Sequence, residues 1–177
     1  MLGLSGTLSG IAIFIAMVVD AISDPLVGAL SDATRSRWGR RHPYMYAAAL
    51  PFALSFYFLF VPLDGLSETG LFLWLTAFSI LTRTFMTFYS VPHLSLGAEL
   101  SRDYDERTLL SSLRMIMQLL GMFAVLIGGP LLFFGATEQY ENGQLNPDAY
   151  PSLALAAFWT IVIGVWVSAA GTHSYIP

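Results

Sequence analysis

Apolar residues run along this chain in five long blocks, with four short polar stretches between them. The blocks cover about residues 7–33, 43–63, 70–98, 109–136 and 151–172, and the polar stretches are 34–42, 64–69, 99–108 and 137–150. A helix needs about 20 predominantly apolar residues to cross the hydrocarbon core of a bilayer. Each block meets that length, so the pattern predicts an all-α, polytopic membrane protein with five transmembrane helices in a single domain over residues 1–177. The fourth polar stretch, TEQYENGQLNPDAY, is rich in turn-forming residues and reads as an exposed loop.

The charged residues give the helices a direction. Arg35, Arg37, Arg40 and Arg41 lie in the first polar stretch, and Arg102 and Arg107 lie in the third. The second and fourth hold acids and no arginine: Asp64, Glu68, Glu138, Glu141 and Asp148. Basic residues favour the cytoplasmic side of short loops. The expected topology therefore has the first and third loops in the cytoplasm, the N-terminus outside and the C-terminus inside.

Composition narrows the function classes. The chain has 177 residues, 55% hydrophobic and 11% charged, against roughly 25% charge in an average soluble domain. That leaves no room for a soluble domain beside the spans. No basic stripe suggests nucleic acid. The absence of cysteine removes disulfides, thiolate metal sites and cysteine nucleophiles. No metal-ligand cluster, phosphate loop or nucleophile–base pair stands out, so an enzyme is not expected.

The unusual chemistry lies inside the first span. Nineteen uncharged residues precede Asp20, and Asp24 follows one helical turn later. The i, i+4 spacing puts both carboxylates on one helix face. A charged side chain at mid-membrane costs roughly 2.5–3.5 kcal/mol on insertion scales, so the pair needs a compensating environment. Pro25 has no N–H and frees the Ala21 carbonyl from its helix bond. Carboxylate and carbonyl oxygens are hard ligands, suited to Na⁺ or to a proton shared between the acids. The alternative is that arginines from other helices pair with both acids and the cluster only holds the bundle together.

Three further charges call for explanation. Asp32, at the end of the first span, fits a structural partner for a nearby arginine. Arg83 lies about thirteen residues inside the third span, which requires a carboxylate or a cavity. An ion pair to Asp20 or Asp24 and a role in transport are both open. Arg114 faces inward two turns after Arg107 and either snorkels to the interface or lines a cavity, where its planar fork suits paired hydroxyls or a carboxylate. His93, near the end of the third span, reads as hydrogen-bonded.

Two runs carry a family resemblance: DAISDPLVGALSDATRSRWGRRHPY, about twenty-five residues from Asp20, and TRTFMTFYSVPHLSLGAELSRDYDERT from Thr82. The first contains a glycine (Gly28), an aspartate four residues on (Asp32) and a G-R-R run (Gly39, Arg40, Arg41). It resembles the signature between the second and third helices of the major facilitator superfamily, in the form found in melibiose-permease-like glycoside–pentoside–hexuronide:cation symporters. The second resembles that family's fourth helix and following loop. The resemblance implies that Asp20, Asp24 and Thr87 hold a coupling cation, Na⁺ or H⁺. It implies that Arg114 lines the solute cavity. Ser90 stands at a position that carries a further acid for cation and sugar. Leu94 replaces a sugar-stacking tryptophan, and Ser23 an asparagine. Gly28, Asp32, Gly39, Arg40, Arg41 and Arg83 fall to structural or gating roles. The departures keep the cation core and weaken a galactoside reading. The solute could be another glycoside, a uronide or a non-sugar.

The family fold has twelve helices in two halves, and this chain resembles helices two to six, an incomplete N-terminal six-helix bundle. Three readings follow. The chain is part of a cation-coupled symporter for a sugar-like or related small solute in a bacterial cytoplasmic (inner) membrane. It is a truncated, non-transporting subunit of a larger membrane complex. Or it is half of a split transporter. The implied partners are the lipid bilayer, a missing transporter half or another membrane protein, and a small solute.

Overall fold

The computed structural model describes residues 4–99 and 103–173, at 98 and 99 the backbone alone. Arg102, used above for orientation, lies outside the described residues. Five helices follow one another: α1 (Gly6–Ala33), α2 (His42–Phe60), α3 (Glu68–Glu99), α4 (Tyr104–Phe133) and α5 (Tyr150–Gly171). All five are long and apolar enough to cross a membrane, and no strand occurs among the described residues.

Local chemistry sets the helix ends. Ser5 caps α1 by accepting from the Leu8 N–H, and Ser67 does the same for α3 through Gly70. Helix α2 begins with Pro43 in its first turn and stops at Phe60, short of residue 63. Val61 precedes Pro62, and a residue before proline is pushed out of the helical region. Helix α4 starts at Tyr104, five residues before the expected 109. The Asp103 carboxylate caps it by accepting from the Asp105 and Glu106 N–H groups. That polar first turn carries no apolar signal.

The four-arginine link between α1 and α2 is a folded turn. Gly39 has φ 77°, a conformation that L-residues with a Cβ seldom adopt. Ser36 closes the turn by donating to the Gly39 carbonyl at 2.7 Å. The Tyr44 and Thr34 hydroxyls meet at 2.6 Å and tie α2 back to the end of α1. The 137–150 link is more ordered than its composition suggests. Two short 3₁₀ turns, Gly143–Leu145 and Pro147–Ala149, are capped by Asn142 and Asn146. Gly143 is buried so closely under Phe134 and Gly135 that an added Cβ would strike their carbonyl oxygens.

Helix α3 is the centre of the packing. It lies against α1 on one side and α2 on the other, and α2 in turn packs on α5. Small residues make these approaches close. Ala12, Ala16 and Ser31 are buried along α1, Ala48, Ala49 and Ala53 along α2, and Ala154 and Ala169 along α5. Helix–helix contact in lipid depends on such backbone proximity and on interhelical hydrogen bonds. Met45, Leu96 and Ala169 form a small apolar cluster joining α2, α3 and α5. Helix α4 stands apart, touching α3 and α5 sparsely.

Candidate functional site

The α1 face that packs on α3 carries the buried Ala12, Ala16, Val27 and Ser31, with the half-buried Asp20 and the exposed Asp24 between them. The opposing α3 residues repeat every four positions: Ser79, Arg83, Thr87, Val91. Farther along, Gly28 keeps the seam tight. A Cβ placed there would lie 3.7 Å from Val91 Cγ1.

At the centre of the seam, three oxygens converge. Thr87 Oγ1 lies 2.8 Å from Asp24 Oδ1 and 3.3 Å from Asp20 Oδ1. A hydroxyl has one hydrogen, so it satisfies one carboxylate at a time. The shorter contact marks Asp24 as its acceptor, which leaves the Asp20 Oδ1 contact without a proton of its own. A cation or a shared proton would satisfy that oxygen. Thr87 is 2% exposed, so the hydroxyl is fixed within the seam, whereas Asp24 is exposed.

Arg83 approaches from the other side of Asp20. Its Nη1 donates to Asp20 Oδ2 at 3.1 Å. Of the two pairings open for Arg83, the structure contains the one with Asp20, and Asp24 has no arginine among its described contacts. The Asp20 side chain is 19% exposed and that of Arg83 36%. The division of oxygens matters. Arg83 takes Oδ2 and leaves Oδ1 turned toward Thr87 and Asp24. Two carboxylates and one guanidinium leave the cluster one negative charge, which a single monovalent cation balances. Pro25 and Ala21 are exposed on α1, and Ser23 donates to the Asp20 carbonyl at 3.1 Å, bracing the helix at this point.

The remaining candidates lie farther along the bundle. Arg114 lines a cavity of about 400 Å³ together with Arg107, His93, Leu94, Gly97 and Thr172. His93 shares a hydrogen bond with Ser168 through Nδ1 at 3.2 Å, and Tyr89 donates to the same hydroxyl at 3.1 Å. Ser90 is half-buried and outside the lining of this cavity, so Arg114 and Ser90 are not brought together. Asp32 meets Arg41, whose Nη2 donates to Oδ1 at 3.2 Å. Arg40 is exposed in the Gly39 turn. A second cavity, lined by Arg83, lies toward the other end of α3. The sequence reading missed it, although the spacing of Ser79, Arg83 and Thr87 was visible as a polar stripe.

The whole chain, residues 1–177, matches the family model described as MFS/sugar transport protein. The chain belongs to that family. An uncharacterized symporter of Synechocystis sp. is 38% identical over 152 residues, which is 81% of this chain and 28% of the relative. The inner membrane symporter YicJ of Escherichia coli is 31% identical over 165 residues, 89% of this chain and 36% of the relative. The isoprimeverose transporter of Lactiplantibacillus pentosus is 30% identical over 119 residues, 67% of this chain and 25% of the relative. The chain thus spans about a third of the length of its curated relatives or less. These relatives of the MFS/sugar transport family are symporters and transporters rather than enzymes. The protein is a cation-symporter-family membrane protein corresponding to the N-terminal part of that fold.

Proposed function

We propose that this chain is part of a cation-coupled symporter for a sugar-like or related small solute, in which Asp20, Asp24 and Thr87 take the coupling cation. The observation that carries this reading is the Thr87 hydroxyl between the two acids. Three hard oxygens meet there with one hydrogen among them and one net negative charge after Arg83 is counted. Na⁺ and H⁺ both answer that description. The solute class rests on the isoprimeverose transporter among the relatives and on the Arg114 cavity. Guanidinium forks at Arg114 and Arg107 suit hydroxyl pairs or a carboxylate. Ser90 falls to the solute path through the resemblance alone.

In this reading the Gly39 turn and the start of α4 face the cytoplasm and the 137–150 link faces outside, by the arginine asymmetry. Gly28 keeps the cytoplasmic part of α1 close to α3, while the Gly39 turn, which carries Arg40, and the Asp32–Arg41 pair tie the end of α1 to the start of α2. The second side of an alternating-access path comes from further helices of a longer protein or from a separate polypeptide.

The test is uptake in a transport-competent protein that contains this segment. Asp20→Asn with Asp24→Asn should abolish stimulation of solute uptake by Na⁺ or by acid while membrane insertion stays intact. Full cation stimulation in the inserted double variant would overturn the assignment.

A further inference from the structure

The second cavity has a volume of about 740 Å³, within the roughly 300–1,000 Å³ typical of small-ligand sites. Ile13, Leu59, Leu75, Met86 and the Tyr150 ring give it mainly apolar walls from α1, α2, α3 and α5. Arg83 is the charged residue in its lining. A guanidinium has five N–H donors, and among the described residues the Nη1 bond to Asp20 ties this one. Arg83 is partly exposed and lies in the lining, so donors remain for an occupant. The adjacent Thr82 also lines the cavity, and its hydroxyl oxygen is buried without a hydrogen-bond partner among the described residues. Ser79 adds a second hydroxyl to the wall.

We propose that this cavity binds an organic monoanion, a carboxylate on an apolar body, through Arg83, and that Asp20 competes with that anion for the guanidinium. The site differs from the Arg114 cavity in residues and in position along α3. Its charge logic follows from the shared arginine. With Asp20 fully ionised, Arg83 is half-claimed and the anion binds weakly. A cation held by Asp20 Oδ1, Asp24 and Thr87 draws on the Asp20 charge and loosens its hold on Arg83. Anion affinity then rises, and by linkage the anion raises cation affinity by the same factor, about 5–150-fold for a typical coupling. The cation half of this statement rests on the function proposed above. The anion site itself does not.

The experiment uses the protein in nanodiscs, with 4-butylbenzoate as the probe and 4-butylbenzyl alcohol as the uncharged control. Binding is read by saturation-transfer difference NMR against empty nanodiscs. Wild type should prefer the carboxylate over the alcohol. Arg83→Gln should weaken carboxylate binding at least tenfold, and Asp20→Asn should strengthen it severalfold without any added cation. Leu75→Trp, which fills the cavity and leaves both Arg83 and the acids in place, should abolish it. This variant carries the test if Arg83→Gln does not fold. Equal binding of acid and alcohol, undiminished binding in Arg83→Gln or Leu75→Trp, or no gain in Asp20→Asn would each overturn the proposal. Because the Asp20→Asn reading needs no cation, a failure of cation coupling in the uptake assay would be seen separately.

Discussion

The seam between α1 and α3 and the surface of α4 both belong to helices long and apolar enough to cross a membrane, and they behave as opposites. Along the seam, Ala12, Ala16, Val27 and Ser31 of α1 are buried against a helix that presents Ser79 and Thr87. Along α4, Gly129 is the one buried residue in the described helix, and Leu113, Ile116, Leu120 and Leu126 are all exposed. The difference is not hydrophobicity, which offers little driving force between helices in lipid. It is the presence of small residues that let backbones meet and of polar groups that have partners once they do. Helix α4 has one glycine at mid-helix, Gly121, and two near its C-terminal end, Gly128 and Gly129, and a Cβ at any of them would meet nothing within 4 Å, so no neighbour uses them for close approach. A span is therefore recognised by apolarity, but its neighbours are selected by the exceptions to apolarity.

The sharpest way to break this contrast is to remove a hydroxyl from each region. Hydrogen bonds to charged groups are worth about 1.5–3 kcal/mol. Thr87→Val should weaken cation binding about 10–100-fold. Ser112→Ala in α4 removes only an exposed bond to the Thr108 carbonyl and should leave cation binding unchanged. Cation titration of the two purified variants checks both. Next comes packing. Ala16 is fully buried, so Ala16→Leu should destabilise the protein by about 1–3 kcal/mol through overpacking. Leu120→Ala on exposed α4 should stay within about 0.5 kcal/mol. Denaturant unfolding in mild detergent measures the pair. The smallest effect belongs to the Asp32–Arg41 bridge. The Arg41 side chain is 10% exposed but that of Asp32 is 62% exposed, so water screens the acid's side of the pair and the bridge contributes about 1 kcal/mol. Asp32→Asn should shift unfolding by no more than that.

Much of this arrangement was legible in the sequence. Five spans follow from block lengths, and the i, i+4 spacing of Asp20 and Asp24 puts both acids on one face whatever that face meets. The need of Arg83 for a carboxylate could be stated from its depth alone. Which carboxylate it takes could not, because that depends on how far α1 and α3 slide along each other. Ala12, Ala16 and Gly28 set that register by packing. The start of α4 was misplaced because its first turn is capped by Asp103 and carries Asp105 and Glu106, residues invisible to a hydropathy reading. The folding of the 137–150 link rests on two asparagine caps and on one glycine pressed under a carbonyl. Turn composition announces a loop there without giving its shape. The Arg83 cavity draws walls from four helices, a juxtaposition that no local pattern encodes.

The account rests on the claim that Asp20, Asp24 and Thr87 form one monovalent-cation site. Cation-induced infrared difference spectra of the carboxylate stretch, recorded on wild type and Asp24→Asn, test it most directly. The account predicts that Na⁺ addition or mild acidification perturbs carboxylate bands in wild type and that the perturbation disappears in Asp24→Asn. Carboxylate bands in wild type that respond neither to Na⁺ nor to mild acid, or a response that survives unchanged in Asp24→Asn, would contradict it.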